Sequence, residues 1–256
     1  MSEACAALVQ RADPARFAAV MAAPAEMRAD LFTLFAFNLE VARAPWASRE
    51  PMIAEMRLRG WCAAVVGALR GETPPAHEVM GPMARLIAAR NLPGDVLGRL
   101  IVARRWDIYR DPFEDQAGFD TYIEDTGAGL FWLAIRLVGA GPETEAVARA
   151  AGWAVGLAGF LQAVPELEAR GRIPLVDGRP QAVAALAERG LERFMAARAG
   201  QRSLGRANAA ILSACLAGPV LHRAARAPGR VAAGMLGSSE FSRRFALARA
   251  AITGRW

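Results

Sequence analysis

Apolar residues recur along this chain at helical spacing, and no stretch alternates apolar with polar for long enough to make a strand. That excludes a sheet-based architecture and predicts an all-α chain of about ten to twelve helices. In "PAEMRADLFTLFAFNLEVARA", Met27, Leu31, Leu34, Phe35 and Val41 keep a helical period, and Pro24 sits near the N-terminus, where a helix tolerates proline. Residues 50–70 predict a second helix through Met56, Trp61 and Val65, stopped at Gly71. A loop and then a helix to about Arg90 follow, and "PGDVLGRLIVARRWDIYR" gives another, stopped by Asp111-Pro112. Residues 116–140 read as one long helix ended by Gly139–Gly141. The next is entered at Pro142 and should be kinked or ended by Pro165. Three or four further helices reach Trp256. A chain that is 54% hydrophobic, led by Ala, with only two Tyr, suits helix over sheet.

No Ser/Gly/Pro-rich linker divides the 256 residues, which predicts one domain over 1–256, with 201–256 as its C-terminal helices. Cys5, Cys62 and Cys215 are scattered and odd in number, so they imply neither a disulfide framework nor a zinc site and fit a reduced cytoplasm. The opening residues lack a basic stretch followed by an apolar one, so no signal peptide is read there. The uncharged runs Ala150–Pro165 and Ala207–Leu221 fall short of the ~18–20 apolar residues of a membrane span. The expectation is a cytoplasmic protein, soluble or peripheral at the inner membrane.

All 31 basic residues are Arg. Residues 1–200 carry 22 Arg and 24 acids, net −2, whereas residues 201–256 carry 9 Arg and only Glu240, net +8. That tail is a candidate surface for an anionic partner. In "EFSRRFALARAAITGRW", Phe241, Phe245, Leu247, Ile252 and Trp256 stand among Arg243, Arg244, Arg249 and Arg255, a mixture that suits an anionic membrane surface. The competing reading is that the apolar side closes the core and the Arg side is merely solvated. No nucleic-acid motif accompanies the charge, which argues against a nucleic-acid partner.

No constellation for catalysis or metal binding is legible. In "GLAGFLQAVPELEARGRIPL" the two carboxylates, Glu166 and Glu168, stand two apart, ~200° around a helix and on opposite faces. A magnesium site on one helix needs carboxylates four apart. Acid-dense "DPFED", with Asp107 upstream, reads as an ordinary break. His77 and His222 are far apart in sequence, and no Cys-His or Ser-His-Asp arrangement is arguable.

Three segments carry a resemblance when taken in order. They are "LFTLFAFNLEVARAPW", "FDTYIEDTGAGLFWLAIRLVG" and the stretch ending in Gly171, Arg172 and Leu175. Together they resemble the squalene/phytoene synthase family, head-to-head prenyl synthases of the isoprenoid synthase fold. The resemblance implies a helical bundle around a central cavity. It also implies two D-x-x-x-D motifs whose carboxylates hold magnesium ions on substrate diphosphates. Aligned on Ala36-Phe37, the first pair of aspartates falls on Ala42 and Trp46, with Arg43 in place of another acid. Aligned on Arg170-Gly171-Arg172, the second pair falls on Ala163 and Leu167, and a preceding polar pair falls on Gly156 and Gly159. The expectation is a chain with neither catalytic residues nor metal, and without cofactor.

"AFNLEVA", "SREPMIAEMRLRGW" and "YIEDTGAGL" are similar to a subfamily, the phytoene synthase-like assembly factors of respiratory complex I and their bacterial relatives. There Ala36, Phe37, Asn38 and Glu40 match an Ala-Phe-Asn-x-Glu pattern, followed by Arg57 and Trp61. The resemblance implies an assembly role, a respiratory-complex protein partner, and a cavity fit for an isoprenoid or quinone-like tail. Its expected wall is Phe37, Trp61, Tyr122 and Phe160, with Asn38, Glu40 and Gln162 as polar points and Glu40 paired to an Arg such as Arg57. Gly127, Gly129, Gly156 and Gly159 either pack two helices closely or leave an open channel. The alternative function is an active head-to-head prenyl transferase.

Overall fold

The computed structural model describes residues 3–256, and among them every regular element is helical. Helices α1 (Glu3–Ala12) and α2 (Pro14–Met21) meet at Asp13, whose carboxylate accepts from the Arg16 backbone N–H and so caps α2. Helix α3 (Ala25–Arg43) starts directly after Pro24 and buries Leu31, Phe32, Leu34, Phe35 and Phe37. After a short 3₁₀ turn, Ala44–Trp46, comes α4 (Pro51–Leu69). Helix α5 (Met80–Arg90) follows a loop in which His77 Nδ1 accepts from the Val79 backbone N–H at 3.1 Å. Helix α6 (Gly94–Ala103) ends earlier than the expected stop at Asp111-Pro112, running into a 3₁₀ turn, Arg104–Asp107.

The long helix expected over 116–140 is interrupted. Helices α7 (Gln116–Ile123) and α8 (Gly129–Leu137) are joined by a π turn, Glu124–Ala128, in which the Thr126 hydroxyl donates to the Tyr122 carbonyl at 2.6 Å. Helix α9 (Glu145–Ala169) continues through Pro165, so the proline does not end it. It stops four residues later at a turn that needs Gly171. That residue adopts φ +75, its N–H bonds the Glu168 carbonyl, and the Arg172 N–H bonds the Leu167 carbonyl. Only glycine takes that left-handed position without strain.

Helix α10 (Pro180–Gly200) leads into a kinked 3₁₀ segment, Gln201–Leu216, then α11 (Ala217–Arg226), the short α12 (Gly229–Ala232) and α13 (Glu240–Thr253). Helix α9 is central, with α8, the π turn, α10 and α11 packed around it. Two stretches, Pro142–Ala169 and Pro180–Arg226, are long and apolar enough to cross a membrane by length and composition. Yet 56% and 72% of their most apolar windows lie inside the protein, where that apolarity forms the core. Cys5 and Cys215 are buried, and Cys62 is half-buried.

The closest packing lies where the π turn meets α9. A Cβ on Gly127 would stand 2.7 Å from the Gly152 carbonyl oxygen and 2.9 Å from the Gly156 Cα. Here the glycines serve close helix packing, which settles that question for Gly127 and Gly156. Gly159, one turn on, has open space at its Cβ position.

Candidate functional site

A cleft of about 520 Å³ opens between the C-terminal ends of α3 and α9, walled by α7, the π turn and the 3₁₀ turn after α6. Ala42, Trp46, Ala163 and Leu167 all line it. So do Asn38, Tyr122, Gly127, Gly156, Gly159 and Phe160. These residues come from three separate segments of the sequence, and the structure brings them to one cleft.

It placed other residues wrongly. Phe37 is fully buried, edge-on to Trp61 at 5.6 Å between ring centroids. Trp61, Arg57 and Glu40 line a second cleft of about 700 Å³ between α3, α4 and the 75–80 loop. Glu40 does pair with an arginine, but the partner is Arg43, 3.9 Å away and one turn along its own helix, rather than Arg57. Gln162 faces neither cleft. It points with Arg243 into a third, between α9 and the C-terminal helices, because its position on α9 is turned away from α7. The residues expected around one cavity are thus divided among separate clefts, of which the first is framed by α3 and α9.

The polar wall of the first cleft was not legible in sequence. Tyr122 donates to Asp107 at 3.0 Å and accepts from Arg104 at 2.8 Å, and Arg104 also reaches Asp107 at 3.4 Å. Burial pushes the Asp107 carboxyl upward, and Arg104, the Tyr122 hydroxyl and Arg172 offset this in part. Burial likewise holds the Tyr122 phenol well above its ordinary value. Burial opposes the Arg104 charge, but Tyr122 and Asp107 outweigh it and keep the guanidinium protonated. Arg172, thrown back by the Gly171 turn, donates to the backbone carbonyls of Trp106, Asp107 and Tyr109. The Trp46 ring lies against the guanidinium groups of Arg170 and Arg172, at 4.5 and 4.9 Å.

Four arginines line the cleft, Arg16, Arg43, Arg104 and Arg170, against two carboxylates, Asp107 and Glu166. Both carboxylates are engaged, Asp107 with Arg104 and Tyr122, Glu166 with Arg170 at 2.5 Å. Among the described residues no group of three or more His, Cys, Asp or Glu could hold a metal ion. Magnesium needs oxygen ligands free of competing cations. This wall offers cations where such ligands would be needed, so the residues present do not fit that ion. Among the described residues, the buried atoms of this wall without a hydrogen-bond partner are the Asn38 Oδ1, an acceptor, and the Nε of Arg16 and Arg104, both donors, of which the Arg16 Nε lies 3.1 Å from the Asp13 carboxylate as an ion pair.

A family model described as squalene/phytoene synthase matches residues 9–250. A Drosophila melanogaster protein named NADH dehydrogenase (ubiquinone) complex I, assembly factor 6 homolog is 29% identical over 181 residues, 67% of this chain and 53% of the relative. The Bos taurus assembly factor 6 is 25% identical over 170 residues, 66% of this chain and 51% of the relative. The chain spans about half the length of these curated relatives. Among solved structures, a dehydrosqualene synthase in complex with ligand superposes with a TM-score of 0.80, at 14% identity, over 99% of this chain and 95% of the other. Squalene synthase HpnC from Alicyclobacillus acidocaldarius gives 0.75, at 18% identity, over 88% and 93%. At such identities the likeness is one of fold, and it shows the all-α isoprenoid synthase fold.

Proposed function

The chain belongs to the squalene/phytoene synthase family, and on that premise we propose that it is a non-catalytic member serving the assembly of respiratory complex I. The observation that carries this reading is the composition of the first cleft. Ala42, Trp46, Ala163 and Leu167 stand where the family resemblance calls for aspartates, and the remaining carboxylates are tied to arginine. A diphosphate leaving group needs its developing charge neutralised by preorganised cations. The arginines here could bind an anion, but they cannot assemble the metal cluster that the family's chemistry uses. The assembly role is supported by relatives named complex I assembly factor 6. Its partner would be a subunit or intermediate of that complex, met at the cytoplasmic face of the inner membrane.

In this reading the cleft remains a binding site. Phe160, Tyr122 and Leu130 supply apolar wall, and the Asn38 Oδ1 and Arg104 Nε supply an acceptor and a donor for a polar head. An isoprenoid or quinone-like molecule has that form.

Purified protein incubated with magnesium and farnesyl or geranylgeranyl diphosphate should release no C30 or C40 product. Detection of such a product overturns the reading in favour of an active prenyl transferase. Deleting the gene should lower the amount of assembled complex I, and normal levels in the deletion strain would remove the assembly role.

A further inference from the structure

Helix α13 is anchored firmly enough to fix which way each of its residues faces. Leu247 and Ala250 are buried, and so is Trp256 beyond the left-handed Gly254. The Trp256 indole N–H donates to Asn208 Oδ1 at 2.6 Å. Gln201 and Asn208 both donate to the Gly254 carbonyl, at 2.8 and 2.9 Å. Leu247 and Trp256 therefore belong to the core, which corrects the expectation that they lie among the surface aromatics.

A second apolar face runs along the other side of the same helix. Phe241, Phe245, Ala248 and Ile252 follow the spacing i, i+4, i+7, i+11, an arc of about 60°. Phe241 is 79% exposed, Phe245 63% and Ile252 86%, and the two phenyl rings stack on each other at 6.3 Å. Isolated exposed apolar residues are ordinary, but large ones in register on one helix face are not. Arg244 and Arg249 flank the arc on its two sides, each about 40° beyond its edge. Arg244 is bridged to Glu240 at 2.5 Å, and among the described residues Arg249 has no carboxylate within ion-pair distance. Glu240 is the one acid in residues 201–256, where nine arginines stand.

We propose that this face of α13 is a membrane-docking surface. Phe241, Phe245 and Ile252 enter the headgroup boundary of a lipid leaflet, and Arg244 and Arg249 meet its anionic phosphates. An apolar ridge between two cationic flanks is the geometry of a helix lying in the interface plane. The charge sign selects an anionic surface. Self-association of this face is disfavoured, because a second copy would set like-charged arginines against each other.

Co-sedimentation of the full chain with phosphatidylcholine vesicles containing about 30% phosphatidylglycerol tests this. The protein should pellet with them at about 0.05 M salt, stay in solution with pure phosphatidylcholine, and be released at about 0.5 M salt. Arg244→Gln with Arg249→Gln should weaken partition about twentyfold, and Phe241→Ser with Phe245→Ser by at least about as much. All four side chains are exposed, so the melting temperature of each variant should stay within about 2 °C of the parent. The proposal is overturned if anionic vesicles bind nothing at low salt, or if both double variants bind like the parent. It is equally overturned if the parent sediments as a dimer that Phe241→Ser with Phe245→Ser converts to a monomer.

Discussion

Gly152→Ala is expected to destabilise the protein by about 3 kcal/mol or more, the upper end of the overpacking range. The new Cβ would lie 2.6 Å from the Gly127 carbonyl oxygen, 2.7 Å from the Phe131 Cβ and 2.8 Å from the Ala128 Cα. Two of these are backbone atoms, so no rotamer change relieves the clash. Helix α9 and the π turn would have to separate along the back wall of the cleft. A melting temperature lower by roughly 10 °C would be the reading for a chain of this size. Gly159→Ala is the matched control. It lies on the same helix with nothing within 4 Å of its Cβ position, and alanine there should stabilise by about 0.5–1 kcal/mol. Equal effects from the two substitutions would show that α9 does not meet the π turn as described.

Asp107→Ala should cost about 3 kcal/mol, because it leaves the largely buried Arg104 without its counter-charge. The Tyr122 hydroxyl would lose its acceptor as well. Replacing Arg104 with Met in the same chain should recover part of that loss, since removing both members of a buried pair costs less than stranding one. Chemical denaturation of the two single variants and the double variant measures the coupling. Additive losses would mean that the two side chains do not act as a pair.

The helices were legible because their apolar spacing is local: α3 and α4 begin and end, and α5 ends, within a residue or two of the positions their sequences mark. Two of the breaks in that record have clear physical causes. A π turn adds one residue to a helical turn and leaves the apolar pattern on both sides intact, so residues 116–140 read as one helix. Pro165 removes one hydrogen bond, a loss that a helix packed on several sides by α8, α10 and α11 withstands. The cleft was legible in part. The family resemblance placed Ala42, Trp46, Ala163 and Leu167, and the structure brings all four to one wall. Nothing in the sequence joined Asp107 to Tyr122, 15 residues on, or Arg172 to the carbonyls of 106–109, more than 60 residues back. Such pairings depend on how α6, α7 and the exit of α9 converge. Helix α13 shows the same limit, because its Phe, Leu and Ile residues form two separate faces only once the neighbouring elements are in place.

The position of Trp46 has a spectroscopic consequence. Its indole is 38% exposed on the cleft wall, in contact with two guanidinium groups, and it is one of six tryptophans. Indole emission responds to nearby charge and to water, so a molecule that enters the cleft and shifts Arg170 or excludes solvent should change this fluorophore. The difference between the emission of the parent and of Trp46→Phe isolates that single ring. Titrating candidate amphiphiles against the difference signal would read occupancy directly, with no turnover and no label.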